Sequence, residues 1–385
     1  MKIITFYLPQ FHNIPENDEW WGEGFTEWTN VKKTKPVFEG HAQPRVPMNG
    51  NYYNLLDDDV KIWQAKNAKE HGIYGFAYYH YWFNGRMLLE KPMEQMLANK
   101  NVDIPFCISW ANEPWTKAWV GNERKTLIAQ TYGNEKEWEE HFDYLLPFFQ
   151  DERYIKEDNK PLFIVYRPEI IPCLNEMLDL WQECAKKNGF SGMKFLSQSN
   201  DFNMSAGKKN DRIDYLIEGQ PDYAHGAIRR KKFKTLRAIR RNLTAFVGKH
   251  FGIDLYRYGA KTVQKATGIN RVDYDTVWNT IITQEPETEK NIPGAFVGWD
   301  NSPRYGERAT IYTGDSPDKL EKYLTTQIKR AREVYKKDMI FMYAWNEWAE
   351  GGYLEPDERY GYGNLEAVKS ALEANNEFPW NKEDI

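Results

Sequence analysis

Eight short apolar runs, each ending in polar or aromatic residues, recur along this chain with segments of helical periodicity between them. They cover Ile3 to Leu8, Ile73 to Tyr79, Ile104 to Trp110, Leu162 to Tyr166, Lys194 to Gln198, Tyr215 to Gly219, Gly294 to Trp299 and Met339 to Trp345. Helices are expected at Asp59 to Glu70, Leu88 to Asn99, Glu135 to Phe149, Ile170 to Lys187 and Pro317 to Lys336, with a closing helix from Leu365 to Ala374. Eight strand and helix units in alternation predict an α/β protein, a (β/α)8 TIM barrel, with a doubly wound sheet as the alternative. A barrel gathers its chemistry at the C-terminal ends of its strands, so those ends are where functional residues are sought.

The 385 residues are read as a single barrel-type domain spanning 1–385. One stretch breaks the rhythm: Pro221 to Pro293 is far longer than an ordinary strand-to-helix connection, so an inserted helical segment or subdomain is expected after strand six. Within it, residues 229–241 carry eight basic residues in thirteen. Apolar Phe233, Leu236, Ile239, Leu243 and Val247 recur there at roughly helical spacing. A basic amphipathic helix of this kind would suit peripheral contact with a membrane surface or an anionic, lipid-linked glycan; a solvated helix face is the plainer reading.

The strand ends are rich in rings and carboxylates. The first leads from Tyr7 into a loop holding Trp20, Trp21, Glu23, Glu27 and Trp28. The second ends in Tyr78-Tyr79-His80-Tyr81-Trp82, where alternate residues must face opposite sides and parity alone does not say which. Trp110, Asn112, Glu113 and Trp115 follow the third, Tyr166 the fourth, Gln198 the fifth, Glu218 and Gln220 the sixth, and Trp299 the seventh. The eighth runs through Trp345 and Asn346 into Glu347 and Glu350. Those two carboxylates are three apart, so they are neighbours only if the strand turns helically after Asn346. Two carboxyls held together among aromatic rings push each other's proton affinities apart, the arrangement that lets one act as acid and the other as base on a glycosidic bond. The 15 Trp and 24 Tyr of the chain suit stacking on the apolar faces of sugars, so an oligosaccharide or polysaccharide is the expected partner. Glu113, in a second Asn-Glu pair, competes with Glu350 for the acid role.

Other chemistries find little support. A net charge of -5 gives no general attraction for nucleic acid. Cys107, Cys173 and Cys184 are odd in number and lack metal-ligand spacing, so no disulfide framework or zinc site is indicated; no other metal or cofactor is expected. Asp57-Asp58-Asp59 contains a formal Asp-x-Asp, as a nucleotide-sugar transferase would use, but it directly precedes a helix, where acidic residues cap the first turn. The N-terminal residues carry no signal-peptide pattern, and a cytoplasmic location is expected.

Several long motifs resemble the WbsX-like family of surface-polysaccharide gene clusters, whose members are often labelled glycosyltransferases. They are the Phe6 to His12 run with Trp20 to Trp28, Gly75 to Phe83, Trp110-Ala-Asn-Glu-Pro-Trp115 and Trp345-Asn-Glu-Trp-Ala-Glu-Gly351. That family is in turn similar to glycoside hydrolase family 99, retaining, metal-independent endo-α-mannosidases built on (β/α)8 barrels. Their Asn-Glu-Trp-x-Glu-Gly run matches Asn346 to Gly351, with Ala349 where those enzymes often carry His. The resemblance implies that Glu347 acts as base on the sugar 2-hydroxyl, forming a 1,2-anhydro sugar, while Glu350 protonates the leaving oxygen. On this reading the chain is a glycoside hydrolase. A glycosyltransferase of lipopolysaccharide O-antigen or capsule assembly, and a glycan-binding protein with a dead site, are the alternatives.

Overall fold

The computed structural model describes residues 1–116, 126–200, 210–230 and 268–381. Strands β1 (Lys2–Tyr7), β2 (Ile73–Phe83), β3 (Phe106–Trp110), β4 (Lys160–Val165), β5 (Lys194–Ser199) and β6 (Tyr215–Glu218) pair in parallel, each with the next. The seventh strand, β7, comes in two pieces, Asn291–Ile292 and Gly294–Phe296, and the eighth, β8, is Met339–Tyr343. The first piece of β7 pairs with β6 and the second with β8, while β8 pairs with β1. The ring therefore closes as a (β/α)8 barrel, with each strand buried on both faces, as a continuous apolar run requires.

The expectation for strand seven began too late, at Gly294. Pro293 lacks an N–H and divides the strand, so the ladder to β6 is made by the residues before it and the ladder to β8 by those after. Gly294 must be glycine because a Cβ there would sit 1.8 Å from the carbonyl oxygen of Glu218.

Helices α1 (Pro15–Trp21) and α2 (Glu27–Lys33) lie in the first loop, and α3 (Asp58–Glu70), α4 (Lys91–Ala98), α5 (Glu135–Gln150) and α6 (Leu174–Lys187) follow. After the described part of the long sixth connection come α7 (Tyr274–Thr283), the short α8 (Ser302–Tyr305), α9 (Pro317–Glu333) and α10 (Gly363–Ala374). Their starts follow capping chemistry. At α5 the Asn134 side chain accepts from Lys136 N–H, while Glu137 reaches back to Asn134 N–H at 2.6 Å. At α3 the Asp57 side chain accepts from Asp59 N–H at 3.0 Å, so the acidic triplet caps a helix. The α4 helix starts later than Leu88 because β2 first folds back through an Asn84-Gly85 turn, both residues at positive φ, into a short antiparallel partner, Arg86–Leu88.

In the sixth connection, residues 222–230 are helical, and α7 packs Tyr274 and Trp278 fully into the core. Of the basic run 229–241, residues 231–241 lie outside the described residues. No helix among the described residues is long and apolar enough to cross a membrane.

Candidate active site

A cleft of about 260 Å³ opens at the C-terminal ends of the strands. Glu347 and Glu350 reach it through a local device at the end of β8. The Asn346 amide clamps the backbone of Leu8, accepting from its N–H at 2.7 Å and donating to its carbonyl at 3.0 Å, which fixes the end of β8 against β1. Asn346–Glu347 then pairs antiparallel with Gly352–Tyr353, and a single 3₁₀ turn, Trp348–Glu350, lies between them. A 3₁₀ turn brings residues i and i+3 onto one side, so both carboxylates line the cleft. Gly351 ends the turn at φ 64°, where a Cβ would stand 2.9 Å from Asp300 N. Asp300 N–H in turn donates to the Glu350 carbonyl at 2.7 Å.

Two buried carboxylates support this turn from outside the cleft. Glu355 accepts four hydrogen bonds: Oε1 from Gln64 at 2.7 Å and Trp345 at 3.1 Å, Oε2 from Tyr53 at 2.8 Å and Trp348 at 2.6 Å. The two indoles held in this way flank Asn346 and Glu347. Burial pushes Glu355 up to about 7 in spite of those donors. Asp300 goes the other way. Burial would raise it, but hydrogen bonds with His41, Ser302 and Gln43 hold it at about 2.

Arg304, on α8, is the charge at the centre of the site, with a side chain only 7% exposed. Its Nη1 donates to Glu350 Oε1, and its Nη2 lies 3.5 Å from Glu347 Oε2 and 3.3 Å from Glu27 Oε1. The Tyr343 hydroxyl donates to the other oxygen of Glu350. Glu347 is 5% exposed, and its carboxyl is pushed well above the usual range by burial first and then by Glu350, with Arg304 opposing. Glu27 is raised as well, again chiefly by burial. Among the described residues, no group of three or more His, Cys, Asp or Glu side chains is arranged to hold a metal ion.

The other residues named from the sequence divide into two sets. Trp21, Tyr79, Glu113, Trp115, Tyr166, Gln198, Gln220 and Trp299 line the cleft with the carboxylate pair. Glu27 sits behind it on Arg304. The remainder serve the scaffold. In β2 the odd positions face inward, so Tyr79 and Tyr81 enter the cleft, whereas His80 pairs with His141 of α5 at 2.9 Å and Trp82 stacks on the same imidazole. Tyr7 donates to Gln64 in the core, Trp110 donates to the carbonyl of Trp82, and Trp28 donates to the carbonyl of Tyr53 and packs on Trp348. Asn112 holds both backbone groups of Arg167, tying β3 to β4. Glu218 accepts from Asn291 and Tyr335 behind β6. Trp345 and Asn346 are fully buried in the contacts already given. Trp20 packs edge-on against Trp115 without lining the cleft, and Glu23 is exposed. Glu113, the competing acid, is ion-paired with Arg167 at 2.6 Å.

Sequence reading missed Arg304, Tyr343, Asn17 and Asp222, which line the cleft; Gln10, Tyr81 and Asn200, from the strand ends, line it too. Tyr81 was within reach, because strand parity counted from Tyr79 puts one face of β2 in the site. Arg304 carried no local signal.

Comparison with known proteins agrees with the architecture. The protein-family model described as Glycosyltransferase WbsX matches residues 3–368. A curated relative, the uncharacterized protein WxcX of Xanthomonas campestris pv. campestris strain B100, is 34% identical over 376 residues. That alignment takes in 96% of this chain and 49% of WxcX, so the chain spans about half the length of the curated relatives it matches. Among solved structures, the family 99 endo-α-mannosidase of Bacteroides thetaiotaomicron superposes with a TM-score of 0.53 at 14% identity, over 98% of this chain and 97% of that one. A glycoside hydrolase-like protein gives a TM-score of 0.53 at 12% identity, over 99% and 94% of the two chains. These likenesses concern the fold. The match over nearly all of the sequence assigns the chain to the WbsX family.

Proposed function

We propose that the chain is a carbohydrate-active enzyme that cleaves, or by the same chemistry transfers, a glycosidic bond in an oligosaccharide or polysaccharide, with Glu347 and Glu350 as the reacting pair. The observation that carries this reading is the 3₁₀ turn that sets both carboxylates in one aromatic-walled cleft, joined by a single guanidinium. One carboxylate takes the proton of the sugar 2-hydroxyl as that oxygen bonds to C1; the other protonates the departing glycosidic oxygen. Water then opens the resulting 1,2-anhydro sugar, and the two proton transfers run backwards. Such participation by the substrate's own hydroxyl suits two carboxyls on one turn better than two that face each other across the bond. Tyr79, Trp115, Tyr166 and Trp299 offer ring faces for the flanking sugars.

The family description favours a second reading, a glycosyltransferase that uses a nucleotide sugar. The lining argues against it: among the described residues, four carboxylates (Glu113, Asp222, Glu347 and Glu350) and one guanidinium (Arg304) line the cleft. That is a poor setting for a diphosphate. The substrate is proposed to be a bacterial surface glycan or its lipid-linked precursor, handled in the cytoplasm. Incubation of the protein with such glycans, with and without nucleotide sugars and in ¹⁸O-labelled water, tests the proposal. Cleavage without a nucleotide, with ¹⁸O at the new reducing end, is expected. Product only when a nucleotide sugar is supplied would establish the transferase, and tight binding without any product would establish a glycan-binding protein.

A further inference from the structure

The turn that carries Glu350 borders a second cavity, which has a volume of about 480 Å³ and shares no lining residue with the cleft. That size is within the range of roughly 300 to 1,000 Å³ common among small-ligand sites. Trp348 and Glu355, both buried, form its inner wall, so the groups that brace the turn from behind are also the floor of this cavity. Its rim is built in advance by backbone pairing between two loops. Met48 N–H donates to the carbonyl of Pro356 at 3.0 Å, and Glu358 N–H donates to that of Val46 at 2.9 Å. Asn49 N–H donates to the Glu358 carboxylate at 2.6 Å.

The lining selects by charge. Among the described residues no Lys or Arg lines the cavity, so an anion finds no partner there. Its one carboxylate, Glu355, already accepts two hydrogen bonds on each oxygen, which leaves a cation no free acceptor. Ring faces and neutral amides remain. Trp63 of α3 is half-buried at the cavity, and among the described residues it stacks on no ring and its N–H has no acceptor. Tyr362, ahead of α10, is held on the His71 ring with 5.9 Å between centroids. The side-chain amides of Asn49 and Asn51 are exposed at the rim and likewise make no hydrogen bond among the described residues. An uncommitted indole face suits the C–H face of a pyranose, and free amides suit its hydroxyls. We propose that this cavity is a second saccharide site, in which a neutral sugar unit stacks on Trp63 and hydrogen-bonds to Asn49 and Asn51. That the sugar is another stretch of the glycan held in the cleft rests on the glycosidic reading above. Because Trp348 is part of the wall, a sugar bound here also packs against the turn that positions Glu347 and Glu350.

Indole N–H NMR of ¹⁵N-tryptophan-labelled protein tests the site without turnover. The signals of Trp63 and Trp348 report on this cavity, and those of Trp115 and Trp299 report on the cleft. Each is assigned by its loss in the corresponding Trp→Phe variant. The probes are the methyl glycosides of glucose, mannose, galactose, rhamnose and N-acetylglucosamine, titrated to the limit of solubility, with inorganic phosphate as the anionic control. At least one sugar is expected to shift the Trp63 and Trp348 signals together along one saturating curve, while phosphate moves neither. Trp63→Ala should weaken that curve, read at Trp348, by roughly tenfold and leave the curve read at Trp115 and Trp299 in place. Trp63→Phe, which keeps a ring face, should lose less and guards against a folding defect. No response of Trp63 to any of the sugars overturns the proposal, whether or not the cleft signals move. So does a Trp348 curve unaltered in Trp63→Ala, or a response to phosphate in place of sugar. If wild type cleaves no glycan, the glycosidic reading fails, and the Trp63 titration still decides whether the second site binds sugar.

Discussion

Glu355→Gln is a sharp test of how the catalytic turn is held. Glu355 has two donors on each oxygen, and two of the four are indole N–H groups, from Trp345 and Trp348. An indole N–H cannot turn round to accept, whereas the Tyr53 hydroxyl can. Either orientation of a glutamine amide therefore sets its NH₂ against one indole, stranding a buried donor at a cost of about 1 to 3 kcal/mol. Ionisation acts in the opposite direction. Burial raises Glu355 from its ordinary 4.5 to about 7, so the folded protein favours the protonated form. The stability this provides is complete below pH 4.5 and is lost as pH rises through about 7. At 1.36 kcal/mol per pH unit the loss amounts to about 3 kcal/mol. The variant carries no such charge and is spared that loss. Denaturant unfolding followed by tryptophan fluorescence should find Glu355→Gln less stable than wild type by about 1 to 3 kcal/mol at pH 5. The difference should vanish or reverse by pH 8. A deficit that widens as pH rises would refute the reasoning, because it would mean that the four donors outweigh burial and that the fold favours the ionised carboxyl.

Three further outcomes are expected. Asp300 is held down at about 2 from an ordinary 3.8, so its contribution is present above pH 3.8 and disappears as pH falls through about 2. Asp300→Asn should therefore cost about 2 kcal/mol in unfolding experiments at pH 7, and much less near pH 2. Gly351→Ala must place a Cβ 2.9 Å from Asp300 N at φ 64°, so it should lower stability by about 1 to 3 kcal/mol, seen in thermal melts. It should also lower glycan turnover more than glycan binding, because the turn carries Glu350. Trp299→Ala, at the cleft wall, should weaken glycan binding by about 1 kcal/mol in titration calorimetry and, because the ring also packs on Tyr312 and Tyr343, lower the melting temperature.

The barrel was legible because each strand is buried on both faces, and an apolar run bounded by a helix start leaves little else for such a segment to be. The acidic triplet at Asp57 marked the start of α3 for the same local reason. The pair Glu347 and Glu350 stood out by its aromatic neighbours and by the motif it sits in, while its spacing said only that a helical turn would be needed to bring the two together. Strand β2 was harder: with rings at every position from Tyr78 to Trp82, no polar and apolar alternation shows which face is inside. The sorting comes from His141, a neighbour distant in sequence that takes His80 and Trp82 to the outside. Asn112 and Asn346 resemble ligand-binding amides, yet each spends its polar atoms on the backbone of an adjacent strand end. Arg304 was illegible because its role depends on three carboxylates, Glu27, Glu347 and Glu350, that only the closed barrel brings around it.

The most direct test of the central claim compares wild type, Glu347→Gln and Glu350→Gln on a surface-type oligosaccharide with no nucleotide sugar present, following the products by mass spectrometry. The account predicts cleavage by wild type and a fall of roughly 10² to 10⁴ in each variant while both remain folded. Cleavage that persists at the wild-type rate in either variant would contradict it.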